Sequence, residues 1–145
     1  MFHPRVILHP TDFSENSSYA FHIAADLARQ HQAKLLLLHV ADTLGAENVT
    51  YGEAASHLEP ESYRRRLDED LRRSVPAPAG VTTEYLLASG EAAKEISRVA
   101  REHSCDLIVM GTHGLGGLSR LLMGSIAERV IRSAPCPVLV SKSPT

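Results

Sequence analysis

The residues in this sequence that could do chemistry are concentrated in one glycine-rich stretch. Gly111 and Gly114 follow an apolar run, and the pair Gly124-Ser125 comes after nine intervening residues. Glycine lets the backbone approach a ligand closely and take φ > 0. The unpaired N–H groups at the start of a helix favour an anion, and Ser125 adds a hydroxyl donor. The stretch is therefore predicted to hold the phosphates of a nucleotide.

The two best-known phosphate-binding motifs do not explain this stretch. A P-loop needs G-x-x-x-x-G-K-[ST], and the sequence contains no Gly-Lys pair. The dinucleotide fingerprint G-x-G-x-x-G should follow the first strand. At that point the chain reads His9-Pro10-Thr11-Asp12, without a glycine. A conventional Rossmann dehydrogenase is therefore not indicated.

Each of these residues also has a purely structural explanation. Ser125 with Glu128 matches the capping box S-x-x-E, which any helix can use. Asp12 could be a turn or capping residue, and the glycines could serve only tight turns. Arg120, the basic residue of the loop, could steady a phosphate or lie in solvent. The sequence leaves these alternatives open.

Short apolar runs alternate with amphipathic helices along the chain. Strands are predicted over Val6–Leu8, Leu35–Val40, Val81–Leu87, Leu107–Met110 and Val138–Val140. The helices between them are expected to begin near Ser14, Pro60, Ser89 and Gly124. This alternation predicts an α/β fold, with an open five-stranded parallel sheet sandwiched by about four helices. The last helix is predicted to turn inward the residues Ile126, Ala127, Val130, Ile131 and Ala134.

The length of the chain predicts a single domain over residues 1–145. Residues 41–59 lack any periodicity, and a flexible loop is predicted there, able to close over a ligand. The helix after Pro60 interleaves its arginines with acidic residues and lacks clustered aromatics. This pattern predicts a solvated face, with no nucleic-acid partner.

The composition of the chain limits which partners and which cellular compartment are expected. The formal net charge is −2, which gives no strong field for nucleic acid or for an acidic membrane. No apolar run is long enough to span a bilayer, and the N-terminus lacks the pattern of a signal peptide. Cys105 and Cys136 do not make a disulfide framework, so reduced thiols and a cytoplasmic location are expected.

The spacing G-x-x-G, nine residues, G-S closely resembles the nucleotide-binding motif of the universal stress protein family. The segments Val6–Ser14, Leu38–Val40 and Val130–Val140 are also similar to that family, so the resemblance covers the whole chain. It implies a Rossmann-like fold of the adenine nucleotide alpha hydrolase type. It further implies binding of ATP or a related adenine nucleotide, AMP or ADP, and assembly into homodimers.

The resemblance also implies which residues meet the nucleotide. Asp12 should face the ribose, with Thr11 and Pro10 in the same loop, and the backbone of Val40 should meet the adenine edge. Ile126 should offer its backbone N–H. The remaining nucleotide-binding positions at the fourth strand and the last helix are Met110, Gly111, His113, Gly114, Gly124 and Ser125.

Histidines raise the question of a metal. His9 and His39 end neighbouring predicted strands, and His113 follows another. Zinc would need three or four ligands, and neither H-E-x-x-H nor C-x-x-C occurs. No dedicated protein metal site is predicted. Mg²⁺ or Mn²⁺ is expected only through the phosphates of the nucleotide.

These observations favour a nucleotide used as a regulatory or conformational ligand. A homodimer is expected through Val138–Val140, because an apolar edge strand needs covering. One alternative is a slow ATPase or a nucleotidyl or phosphoryl transferase, with His113 as its only obvious candidate for chemistry and no cluster of cations for phosphoryl transfer. Another alternative is a nucleotide-independent interaction protein of the same fold. No catalytic residue is assigned.

Overall fold

The computed structural model describes residues 1–41, 60–112 and 123–143. The elements in chain order are β1 (Val6–Pro10), α1 (Glu15–His31), β2 (Lys34–Ala41), α2 (Pro60–Ser74), β3 (Thr83–Ser89), α3 (Ala92–Glu102), β4 (Leu107–Gly111), α4 (Ser125–Ser133) and β5 (Val138–Ser141). The predicted loop at 41–59, apart from Ala41, lies outside the described residues. So do His113, Gly114 and Arg120.

The five strands form one parallel sheet in the order β3-β2-β1-β4-β5. Ile7 of β1 pairs with Leu35 of β2 on one side and with Leu107 of β4 on the other. The predicted α/β fold is therefore confirmed. From β1 the chain continues outward to β2, whereas from β4 it continues in the opposite direction to β5. The carboxyl ends of β1 and β4 thus flank a topological switch point, where open α/β sheets bind their ligands.

Apolar side chains cover both faces of the sheet, because successive residues of a strand point to opposite sides. The face under α1 and α2 includes Ile7, Leu35, Leu37, Leu107 and Val109. The face under α3 and α4 includes Leu8, Leu36, Leu38, Ile108 and Met110. Burial on both faces explains why these strands appear in the sequence as continuous apolar runs.

Helix α1 packs on β1 and β4, and its first turn forms part of the candidate site. Ser14 caps it, as predicted, and Gln32 ends it in a left-handed conformation with φ 55°. Ala20, Ala24 and Ala28 are buried on its inner face. Because alanine is small, the helix can lie close to the sheet.

Helix α4 differs from its prediction. Ala127 and Val130 are buried, but Ile126 and Ile131 are 42% and 45% exposed. The prediction that both isoleucines face inward is therefore wrong. The reason is the position of α4: among the described residues it packs mainly on α3 and on the edge strand β5, and the two isoleucines lie on a side that neither element covers.

Helix α2 is the predicted solvated helix with one apolar edge. Leu71 on its inner side is fully buried in the core. On the outer side, Arg72 pairs with Asp68 at 3.0 Å and lies over the ring of Tyr85. The Tyr85 hydroxyl donates to the carbonyl of Val75 at 2.6 Å, which ties β3 to the end of the helix. In the parts of the chain that the structure describes, none of the helices has both the length and the apolar content needed to cross a membrane.

Candidate functional site

The turn after β1 is built around the carboxylate of Asp12. Asp12 Oδ1 accepts the backbone N–H of Ser14 at 3.0 Å and the hydroxyl of Ser17 at 2.7 Å. Ser14 Oγ then accepts the N–H of Ser17 at 3.2 Å, as an N-cap does. Asp12 therefore has the structural role that the sequence left open, since it satisfies an N–H at the helix start. The same bonds orient its carboxylate at the carboxyl edge of the sheet.

Phe13, between these residues, has φ 68°, in the left-handed region. For a bulky residue this conformation costs about 1–2 kcal/mol. Its N–H donates to Thr11 Oγ1 at 3.1 Å, and its ring stacks on His39 with the centroids 4.4 Å apart. His39 Nδ1 lies 2.9 Å from the carbonyl oxygen of Thr11, so it is the donor there. Sequence reasoning did not single out Phe13, because residues at such positions are usually Gly, Asn or Asp.

His9 is fully buried in the sheet beneath α1. Its Nδ1 lies 2.9 Å from the carbonyl oxygen of Val109 and donates to it, while Nε2 has no hydrogen-bond partner among the described residues. Burial lowers the pKa of His9 from 6.5 to about 4, against the opposing effects of the Val109 bond and the charge of Asp12. His9 is therefore a neutral core residue at the base of the site.

The burial of His9 makes the stability of the protein depend on pH. The unfolded chain takes up a proton near pH 6.5, whereas folded His9 does so only near pH 4. Neutral, buried His9 contributes about 3 kcal/mol to the free energy of unfolding, and this contribution is fully present above pH 6.5. It is lost as the pH falls from 6.5 through about 4. Urea unfolding at intervals from pH 7 to 4 should show this loss. His9→Asn should have a shallower profile; parallel profiles would contradict the assignment.

The described residues around these histidines form no metal cluster. Among residues 1–41, 60–112 and 123–143, no group of three or more His, Cys, Asp or Glu side chains is arranged to hold a metal ion. His9 and His39 each direct Nδ1 at a backbone carbonyl. Both imidazoles therefore serve to position strand ends.

The two cysteines lie at the opposite edge of the sheet, just before β4 and β5. Burial raises the pKa of the Cys105 thiol to about 12 and also raises the pKa of Cys136. Because the thiolate is the reactive form, neither residue is set up as a nucleophile.

Gly111 ends β4 directly beneath the first turn of α1. A Cβ on Gly111 would lie 3.0 Å from each of three Asn16 atoms: the carbonyl carbon, the carbonyl oxygen and Cβ. Among the described glycines only Gly80 and Gly90 have positive φ. Neither Gly111 nor Gly124 therefore uses the positive φ that glycine permits. Gly111 is required instead because the helix backbone approaches it closely.

The second half of the motif is held against the first by backbone hydrogen bonds. The N–H of Gly124 donates to the carbonyl of Thr112 at 2.7 Å, and the N–H of Thr112 donates to Ser141 at 2.9 Å. The start of α4 is thereby attached to the ends of β4 and β5. This contact brings Gly111 and Gly124 to one region, although 12 residues separate them in sequence.

The capping-box explanation for Ser125 is wrong. Gly124 is the N-cap of α4, and Ser125 is the first residue of the helix. Glu128, the other half of the expected box, pairs with Arg132 at 2.9 Å. Ser125 is exposed, and its hydroxyl makes no hydrogen bond with any residue the structure describes. That hydroxyl and the first N–H groups of α4 can therefore meet a ligand.

The described residues predicted for the site all lie at the carboxyl edge of the sheet. Thr11 is buried and Asp12 half-buried after β1, and Val40, near the end of β2, is half-buried beside Ala88. The other described members are Pro10, Met110, Gly111, Gly124, Ser125 and Ile126. His113 and Gly114 belong to the undescribed segment. A carboxylate and two helix starts at one switch point suit a ligand with both hydroxyl and phosphate groups.

The parallel sheet with helices on both faces, and a candidate site at its carboxyl edge, are those of an open, Rossmann-like α/β protein. The family model described as the universal stress protein family matches residues 4–142. The chain belongs to the universal stress protein family.

Individual relatives agree with this assignment. The universal stress protein MJ0531 of Methanocaldococcus jannaschii is 38% identical over 141 residues, with 95% of this chain and 82% of that protein covered. A universal stress protein of Thermus aquaticus is 37% identical, with 94% and 97% covered. The identity therefore extends along nearly the whole chain.

Solved structures agree on the fold. The structure of MJ0577 from M. jannaschii has a TM-score of 0.80 at 28% identity, with 99% of each chain covered. A universal stress protein crystallised in complex with cAMP has a TM-score of 0.69 at 20% identity, with 97% of this chain and 98% of that chain covered. At that identity the second likeness concerns the fold alone.

Proposed function

We propose that this chain binds an adenine nucleotide, ATP foremost, at the carboxyl edge of its sheet, and uses it as a regulatory or conformational ligand. The observation that carries the proposal is the meeting of Asp12, Gly111 and the start of α4 at the switch point. Membership of the universal stress protein family supports it. So does the exposed hydroxyl of Ser125, which no helix cap uses.

The two ends of the nucleotide would be held by different chemistry. The carboxylate of Asp12 accepts hydrogen bonds from the ribose hydroxyls, beside Thr11 and Pro10, and the backbone of Val40 meets the adenine edge. The phosphates lie against Gly111 and the start of α4, where the N–H groups of a helix favour anions. The residues proposed there are Met110, Gly111, Gly124, Ser125 and Ile126, with His113 and Gly114 from the undescribed segment. Mg²⁺ or Mn²⁺ binds through the phosphates.

The homodimer belongs to the same proposal. Strand β5 is an edge strand, and its residues Val138, Leu139 and Val140 are only half-buried. An apolar edge with unpaired backbone groups is a liability unless it is covered. Pairing β5 with the same strand of a second copy across a two-fold axis covers both edges at once.

Native mass spectrometry of freshly purified protein tests nucleotide and dimer together. The expected species has twice the mass of the 15.8 kDa chain and carries an adenine nucleotide. Stripped protein should then release heat on titration with ATP and MgCl₂ in a calorimeter. Absence of both the bound nucleotide and the heat would refute the binding proposal. A monomer that binds ATP would refute only the dimer, and release of ADP on incubation would favour the ATPase alternative.

A further inference from the structure

The hydroxyl of Ser17 lies at the centre of the turn that carries Asp12. Its Oγ donates to Asp12 Oδ1 at 2.7 Å and accepts the backbone N–H of Asp12 at 3.3 Å. It also accepts the hydroxyl of Ser14 at 3.3 Å. Ser17 is only 6% exposed, so these bonds are shielded from water. Its single proton and both of its acceptor positions are therefore committed to the turn.

Two of these bonds join Ser17 and Asp12 reciprocally across the strained residue Phe13. The shorter one ends on a carboxylate, and hydrogen bonds to an ionised acceptor are about twice as strong as neutral ones. The backbone N–H of Ser14 reaches the same Oδ1 atom. Two donors on one oxygen restrict the side-chain torsions of Asp12. Ser14, the N-cap of α1, and Ser17, within the helix, thus both help to orient the carboxylate.

Helix capping alone does not account for this arrangement. Ser17 is the third residue of α1, the position from which Glu or Gln usually reaches back to the N–H of the N-cap residue. Here Asp12 takes that N–H from outside the helix. The Ser17 side chain is free of the capping task, and its proton goes to the carboxylate instead.

We propose that Ser17 is a positioning residue, which holds the carboxylate of Asp12 in the direction that receives the ribose hydroxyls of the nucleotide. The inference rests on the proposed function, because it assigns Ser17 a part in the same site. Ser17 acts through Asp12 and does not touch the ligand. Side chains that bind with defined geometry need such support from a buried neighbour.

The test compares ATP with 2′,3′-dideoxy-ATP, which lacks the ribose hydroxyls. Ser17→Ala should weaken ATP binding about tenfold, the equivalent of one hydrogen bond to a charged group. Its affinity for the dideoxy nucleotide should stay within about twofold of wild type, because that ligand makes no bond with the carboxylate. Ser17→Thr, which keeps a hydroxyl, should retain ATP binding. Ser18→Ala, an exposed serine on the same helix, is the matched control and should change nothing.

A double-mutant cycle separates positioning from a general effect on the fold. In an Asp12→Asn background, Ser17→Ala should cause no further loss of ATP affinity, because the residue through which it acts is already altered. Circular dichroism on each variant verifies folding at the titration temperature. Equal losses for both nucleotides, or additive losses in the cycle, would overturn the role of Ser17. Wild-type protein that binds no ATP would overturn the proposed function and this inference with it, whereas wild-type affinity in Ser17→Ala would overturn this inference alone.

Discussion

Replacing Gly124 with valine is expected to abolish nucleotide binding while leaving the fold intact. Gly124 has φ −65° and ψ 154°, an extended conformation that residues with a side chain also adopt. Its hydrogen bond to Thr112 is made by the backbone and survives the substitution. A side chain at the start of α4 would instead occupy the space proposed for the phosphates. The expected loss of ATP affinity is at least about 100-fold, or about 2.7 kcal/mol.

Calorimetry with ATP and MgCl₂ measures this loss, and thermal unfolding verifies the fold. Gly124→Ala provides a graded comparison, since its smaller side chain should weaken binding less than valine does. A melting temperature near that of wild type, together with lost binding, is the expected pair of results. Affinity retained by Gly124→Val would remove the start of α4 from the site.

Gly111→Ala is expected to damage both the fold and the site. The added Cβ would lie 3.0 Å from backbone atoms of Asn16, which cannot move aside as a flexible side chain could. The first turn of α1 must shift away from β4, at a cost of about 2–3 kcal/mol. That turn also carries Ser14 and Ser17, which hold Asp12, so ATP affinity should fall in parallel.

Gly80→Ala is the control for Gly111→Ala. Gly80 has φ 77° and open space around its Cβ position, so alanine there should cost about 1 kcal/mol from conformation alone, without affecting ATP binding. Urea unfolding and calorimetry on both variants provide the comparison. A Gly111→Ala protein as stable as wild type would show that α1 does not pack on Gly111 as described.

The two glycines of the motif differ in what their surroundings and conformation require, although the sequence presents them alike. Gly111 is a packing residue, needed because the backbone of α1 approaches it, whereas nothing in the conformation of Gly124 demands glycine. A motif spacing can indicate that glycines belong together. Only the tertiary structure shows that Gly111 lies in a close contact between helix and strand, whereas the role of Gly124 beside the phosphates is part of the proposed function.

Much of the fold was predictable from local pattern. Strands buried on both faces appear as continuous apolar runs, and amphipathic helices show their stripes, so the five strands and four helices in the described part of the chain were anticipated. Strand β3 was predicted over 81–87 but runs from Thr83 to Ser89. The shift arises because pairing with β2, which begins at Leu35 and Thr83, decides where the strand starts. Local propensity contains no information about that partner.

Some features of the candidate site were likewise predictable from the sequence, and others were not. The glycine spacing, Asp12 and Ser125 were visible in the sequence, because the motif and the resemblance to the family point to those positions. Ser17 and Phe13 were not singled out, since a buried hydroxyl and a bulky residue with φ 68° carry no signal in composition or spacing. The exposure of Ile126 likewise depends on α4 lying at the edge of the sheet.

The sequence by itself determined the order of strands and helices, the family and the types of residue at the carboxyl edge, because these follow from short-range periodicity and spacing. Only the tertiary structure decided which hydrogen bonds those residues make. It gave the carboxylate of Asp12 two donors at the start of α1, the N-cap Ser14 and Ser17, and it left the hydroxyl of Ser125 outside any cap. The physical reason is that both outcomes depend on how α1 and α4 begin against the sheet. The bonds to Asp12 are local in sequence, but the turn that makes them packs on Gly111, which lies far along the chain.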